Sequence, residues 1–219
     1  MIVATEDDRI AKVVSAFGGE VVMTSTELRT GSDRVAEVAA STSAELVVNL
    51  QGDLPLFYPP VIDRLIKEGG EQIKSHGADL VTLCAKIDKE EDIFSPNTVK
   101  LVRNDKGEIL YFSRSPIPHP SFSLPFKGRL GGDGVTCPSG FLKHYGVYLY
   151  HRDFLLKMAN CPEGYLERME RLEQLRVIER GGRVWAMEVS HEDAKGFCEV
   201  NTPEDLVLAN ETLELLGEK

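Results

Sequence analysis

The chain has 219 residues, 42% of them hydrophobic, with 25 Lys+Arg against 35 Asp+Glu for a formal net charge of −10. That acidity argues against a nucleic-acid backbone as partner, which needs a basic face. No run approaches ~18 apolar residues, so no membrane span is expected, and MIVATEDDRI carries no signal-peptide pattern, so the composition suits a cytoplasmic protein.

In chain order, Ile2-Val3-Ala4 reads as a buried strand, and Asp7 to Phe17 has helical periodicity through Ile10, Val13, Val14 and Phe17, ended by Gly18-Gly19. Val21-Val22-Met23 is a second strand. Thr30-Gly31-Ser32-Asp33 makes a turn and N-cap ahead of a helix over Arg34 to Ala40. Leu46 to Leu50 is a third strand running into Gln51-Gly52-Asp53, and Pro59-Pro60 opens another helix. Strands alternating with helices predict a parallel sheet covered on both faces, a three-layer α/β domain. Ligands of such sheets lie outside the carboxyl ends of the strands, where Gln51-Gly52-Asp53 falls.

The second half is more mixed. Leu80 to Ile87 is a strand, and 99–102 with 109–112 forms a hairpin around Asn104-Asp105-Lys106-Gly107. Residues 116 to 140, rich in Pro and Gly, form a long loop. Tyr145 to Tyr150 is β-like, Tyr165 to Arg180 a charged helix, Val184 to Val189 a strand, and Pro203 to Leu216 a terminal helix started by Thr202. Cys84, Cys137, Cys161 and Cys198 form no CxxC and are expected as reduced thiols.

Several residues offer chemistry. Asp53, at a strand end beside a glycine, is placed to hold Mg²⁺, and equally to cap the turn before Pro55. Arg34 at a helix start offers a bidentate donor for an anion, or pairs with Glu37. Arg114, His144, the tyrosines of 145–148, Glu173 and Gln174 supply the cations, amides and hydroxyls that a polyhydroxylated acid requires. Taken singly, each also has a structural reading: His144 as a bonded strand residue, Glu167 with Arg171 as a surface pair. GxGxxG, GxxxxGK[ST] and GxSxG are absent.

Seven segments in order resemble the cytidylyltransferases that make CMP-sugars, in particular the 3-deoxy-manno-octulosonate (Kdo) cytidylyltransferase family. They are Ile2-Val3-Ala4-Thr5, Gly31 to Glu37, Val48 to Asp53, Tyr111 to Arg114 with Pro116-Ile117-Pro118, His144 to Tyr148, Leu172 to Arg176, and Val200 to Leu206. The resemblance implies a mostly parallel Rossmann-like nucleotidyltransferase sheet with a mixed β subregion, residues 97–150, bearing a sugar pocket and a dimer surface. It implies transfer of CMP from CTP to Kdo with loss of pyrophosphate, Mg²⁺ as cofactor, and a homodimer. By position, Asp53 and Asn201 are metal ligands and Asp53 and Arg114 catalytic. Gln51, His144, Tyr148, Glu173 and Gln174 fall in the sugar-acid pocket, and Thr30, Gly31 and Arg34 in the nucleotide cradle.

Three departures stand against the family pattern. A first βα unit with the loop R-x-x-S-x-R-L-P-G-K-P-L has no counterpart here; Asn201 replaces the aspartate of V-D-T-P-E-D-L; and Leu54 replaces the acid of Q-G-D-E-P. They leave a second expectation open, a non-catalytic homologue that binds a sugar acid, a nucleotide or a partner subunit.

Overall fold

The fold is that of a computed structural model whose described residues are 1–120, 140–194, 196–200 and 202–217. Most of the loop expected over 116–140 lies outside them, as does Cys137. The elements run β1 (Ile2–Thr5), α1 (Asp8–Ala16), β2 (Glu20–Met23), α2 (Gly31–Ala40), β3 (Leu46–Leu50), α3 (Pro59–Arg64), α4 (Gly70–His76) and β4 (Leu80–Lys86). They continue with α5 (Glu90–Phe94), β5 (Lys100–Arg103), β6 (Ile109–Ser113), β7 (Leu142–His151), α6 (Arg152–Ala159), α7 (Tyr165–Glu170), α8 (Leu175–Glu179), β8 (Val184–Glu188), α9 (His191–Ala194) and α10 (Pro203–Gly217).

The main sheet has the order β6-β5-β7-β4-β8, with β3 also on β7. The ten-residue β7 organises it. β4 runs along one edge, while β5 (at Leu142–Lys143) and β3 (at Val147–His151) share the other. Since β3, β4 and β5 are all antiparallel to β7, and β8 is parallel to β4, these four strands point one way. Only β6 and β7 of this sheet oppose them, and both lie in the half expected to be mixed.

Side-chain alternation along β4 and β7 builds the layers. Leu80, Cys84, Tyr148 and Tyr150 face a core closed by α2, α6 and α8 through Ala36, Leu155 and Leu175. Val81, Leu83, Val147 and Leu149 face the opposite core, closed by α3, α4 and the π-helical turn between them through Val61, Leu65 and Ile73. The strand LVTLCAK is buried on both faces, which is why it reads as a continuous apolar run. Cys84, Cys161 and Cys198 are free thiols, as expected, and burial pushes Cys84 up to about 12.

One expectation is corrected at the amino end. β1 and β2 pair in parallel as a two-stranded sheet of their own, so Ile2 is 36% exposed rather than buried. Two strands are too narrow to cover the stripe of α1: Val14 is buried, but Ile10, Val13 and Phe17 stay exposed.

The charged segment 165–180 is also not one helix. Arg171 adopts φ 55 and ends α7, its N–H bonding Glu167 O, and α8 restarts at Leu175. This break turns Glu167 inward. It does not pair with Arg171 on the surface; it is 4% exposed, caps Gly164 N–H at 2.9 Å, and binds Arg176 Nε and Nη2 at 2.8 and 2.6 Å. Arg176 Nη1 reaches Asp33 Oδ1 of α2 at 2.8 Å, so one guanidinium joins three helices. Among the described residues no helix is long and apolar enough to cross a membrane.

Removing one member of a buried charge cluster leaves the others uncompensated. Arg176→Met is therefore expected to cost about 3–5 kcal/mol, read by urea denaturation; a loss within ~0.5 kcal/mol of zero, the range of a surface change, would refute this role.

Candidate active site

The site forms where the first turn of α2, the end of β3, the middle of β7 and the α7–α8 connection meet. Thr30 is the N-cap of α2, its Oγ1 accepting Asp33 N–H at 3.2 Å; the cap falls within the expected Thr30–Asp33 segment, but the helix starts at Gly31 and not at Arg34. Gly31 starts the helix against Gln51: a Cβ there would lie 2.6 Å from Gln51 Oε1. The glycine is a matter of space.

Glu173 gathers this corner. Its carboxylate accepts Ser32 N–H at 3.2 Å, Ser32 Oγ–H at 2.8 Å and Gln51 Nε2–H at 2.9 Å, with a further bond from Thr30. Burial raises the carboxyl above its usual range, the bonds from Ser32 and Thr30 working against the shift. Ser32 Oγ, its own proton committed to Glu173, accepts from Tyr150 OH at 3.0 Å and Asn49 Nδ2 at 3.2 Å. Thr30, Gln51 and Glu173, assigned from sequence to two subsites, thus form one hydrogen-bonded unit, with Gly31 packed against Gln51.

Deeper in, Tyr148 OH donates to Gln174 Oε1 at 3.2 Å. Gln174 is only 2% exposed, yet its Nε2 has no partner among the described residues. An unmet buried donor is uncommon in a folded protein and points to a ligand that supplies an acceptor. His144 packs against Phe112 and Tyr148, ring centroids 5.0 and 5.5 Å away, and lies 2.9 Å from Thr82 Oγ1 through Nε2. The single Thr82 proton is claimed by Val147 O at 2.7 Å, which assigns the imidazole proton to Nε2 and leaves Nδ1 an acceptor. Burial, with Lys143 as a minor cause, pulls the ring down to about 3, so it is neutral.

The remaining predicted residues stand around this centre. Arg114, at the end of β6, donates from Nε to Glu170 O at 3.1 Å and from Nη1 to Pro96 O at 2.8 Å. Arg34 does not pair with Glu37. It bonds Thr24 and meets Glu6 at 2.8 Å, because α2 sets it over the carboxyl ends of β1 and β2, while Glu37 accepts Ser25 N–H. Asn201 lies outside the described residues.

Asp53 is exposed, and its carbonyl accepts Val200 N–H at 2.7 Å. This pairing, with the Leu56–Cys198 bridge, brings Glu199 into electrostatic reach of Asp53. Burial pushes the Glu199 carboxyl above its usual range, with Lys143 opposing. No group of three His, Cys, Asp or Glu converges among the described residues. Mg²⁺ needs only one or two carboxylates when phosphate oxygens and water fill its shell, so an exposed Asp53 with Glu199 beside it is a fitting donor set.

Sequence reasoning missed Ser32, Asn49, Tyr150 and Glu199 as members of the site. Asn49 carried a signal, a polar residue inside the apolar run Leu46 to Leu50; Glu199 carried none.

Known proteins resemble this chain in sequence and fold. Residues 1–189 match the family model described as Cytidylyltransferase. The 3-deoxy-manno-octulosonate cytidylyltransferase of Geobacter sulfurreducens is 43% identical over 218 residues, covering 98% of this chain and 82% of its own. That of Geobacter metallireducens is 44% identical over 206 residues, covering 94% of this chain and 78% of its own. Among solved structures, CMP:2-keto-3-deoxy-manno-octonic acid synthetase complexed with CTP superposes with a TM-score of 0.81 at 33% identity, over 98% of this chain and 80% of that one. With a family model spanning most of its length and relatives that align across nearly all of it, the chain belongs to the cytidylyltransferase family.

Proposed function

We propose that this enzyme transfers CMP from CTP to Kdo, the anomeric hydroxyl attacking the α-phosphorus and pyrophosphate leaving. The observation that carries the sugar-acid half is the buried, unpartnered Gln174 amide beside Tyr148 and the Nδ1 acceptor of His144. These suit a ligand rich in hydroxyls. The relatives named for this reaction and a neighbour solved with CTP support the nucleotide half.

In this reading Arg114 meets the sugar carboxylate, and Gln174 and His144 bind its hydroxyls. Glu173 acts differently from the sequence expectation: with its oxygens taken up by Ser32, Thr30 and Gln51, it orients Gln51 and the first turn of α2. Thr30, Gly31 and Arg34 border the nucleotide. Asp53, with Glu199 beside it and Asn201 near in sequence, would hold Mg²⁺, which supplies neutralisation of triphosphate charge when bound. A homodimer through the β5–β7 region and a cytoplasmic setting complete the proposal.

The purified chain is expected to release pyrophosphate only with CTP, Kdo and Mg²⁺ together, and Asp53→Asn to lower kcat on the order of 100-fold. A folded chain that releases none overturns the activity. Light scattering is expected to give twice the single-chain mass; a monomer overturns the assembly. For His144 the folded value of about 3 lies below the ~6.5 of an unfolded histidine. Acidification between these values therefore loads the unfolded chain first, and this residue's contribution to stability is lost as pH falls. Imidazole ¹⁵N shifts are expected to show a neutral, Nε2-protonated ring at about pH 5; a charged ring there refutes the assignment.

A further inference from the structure

We propose that Lys100 is a positioning residue for Arg114, its ammonium fixing the strand end from which Arg114 reaches the substrate carboxylate. The proposal rests on the reading above in one respect, that Arg114 meets that carboxylate.

Lys100 sits on β5 opposite Ser113 of β6 and is fully buried. A buried ammonium is costly unless each of its three protons finds an acceptor. Here they reach Ser95 O at 2.8 Å, Thr98 O at 2.6 Å, and Arg114 O. A methionine fills nearly the same volume without that desolvation cost, so packing alone does not explain a lysine. What the ammonium adds is a joint between backbone points in two separate segments: the loop after α5 and the end of β6.

That joint governs Arg114 twice. It holds the residue's own carbonyl, and it gathers the loop containing Pro96, whose carbonyl anchors Nη1 at 2.8 Å. The other supports come from Glu170, which accepts the Arg114 amide at 3.0 Å and Nε at 3.1 Å. Among the described residues, Nη2 donates to none of these carbonyls, so it is the free corner of the guanidinium. Its direction follows from where Pro96 and Glu170 stand, and Pro96 stands where Lys100 draws it. Small errors in such placement weaken the hold on a carboxylate, because a guanidinium–carboxylate contact depends on the direction of its N–H groups.

The test compares Lys100→Met, Lys100→Arg, Arg114→Ala and the K100M/R114A double variant by pyrophosphate release, with folding checked by circular dichroism and thermal melting. K100M is expected to raise KM for Kdo about tenfold, with KM for CTP and kcat at saturating Kdo nearly unchanged. R114A should show the same split, and the double variant should be no worse than R114A, since both remove one interaction. If R114A is impaired but K100M keeps the normal KM for Kdo, or if the two defects multiply, the positioning role is overturned while the site reading stands. An unaffected R114A overturns the reading of Arg114 and this proposal with it. Should K100M not fold, K100R decides: it keeps the charge, but a planar fork cannot converge on three carbonyls as an ammonium does. A normal KM for Kdo in K100R overturns the proposal.

Discussion

The site depends on one guanidinium. Arg176, buried between Asp33 of α2 and Glu167 of α7, is the charge without which two carboxylates could not enter the interior together. Its value is alignment rather than raw stability. Replacing the whole cluster by apolar residues often serves as well for stability, but it does not fix the rotation and offset of two helices to hydrogen-bond tolerance. With α2 and α8 locked through Arg176, Glu173 lies against Ser32 and Thr30, and Gln51 is drawn in over Gly31.

The sheet supplies the second condition. β7 opposes its neighbours and is long enough to carry two partners end to end on one edge. Its β3 half puts Asn49 opposite Tyr148, next to the cradle, while its β5 half joins the β5–β6 hairpin that ends in Arg114. One strand thereby spans the parts of the site that come from distant stretches of sequence.

Much of this was legible beforehand, where the governing interactions are local. The Thr30 cap, the Gly18 and Gly107 turns with φ 79 and 82, the hairpin and the two-sided β4 all follow from neighbours within a few residues. The family resemblance rests on motif order, which is readable without knowledge of partners, and it singled out Thr30, Gln51 and Glu173, which the fold brings together. What was hidden depends on pairs far apart in sequence. Glu167 reads as a surface residue until Arg176 is folded back by the left-handed turn at Arg171. Glu173 reads as a ligand group until Ser32, 141 positions earlier, is seen to occupy it. The periodicity of α1 says that a face is apolar, not what covers it, and Ile10, Val13 and Phe17 stay exposed.

The stranded amide of Gln174 has a consequence for selection among similar molecules. An unmet buried donor costs the protein roughly 1–3 kcal/mol. A ligand with an oxygen at that point relieves the debt, whereas a close analogue carrying hydrogen or methyl there leaves it standing and closes off any water that might have relieved it. Discrimination of that kind works by exclusion: the wrong ligand is turned away by what it fails to offer, with no need for a steric clash.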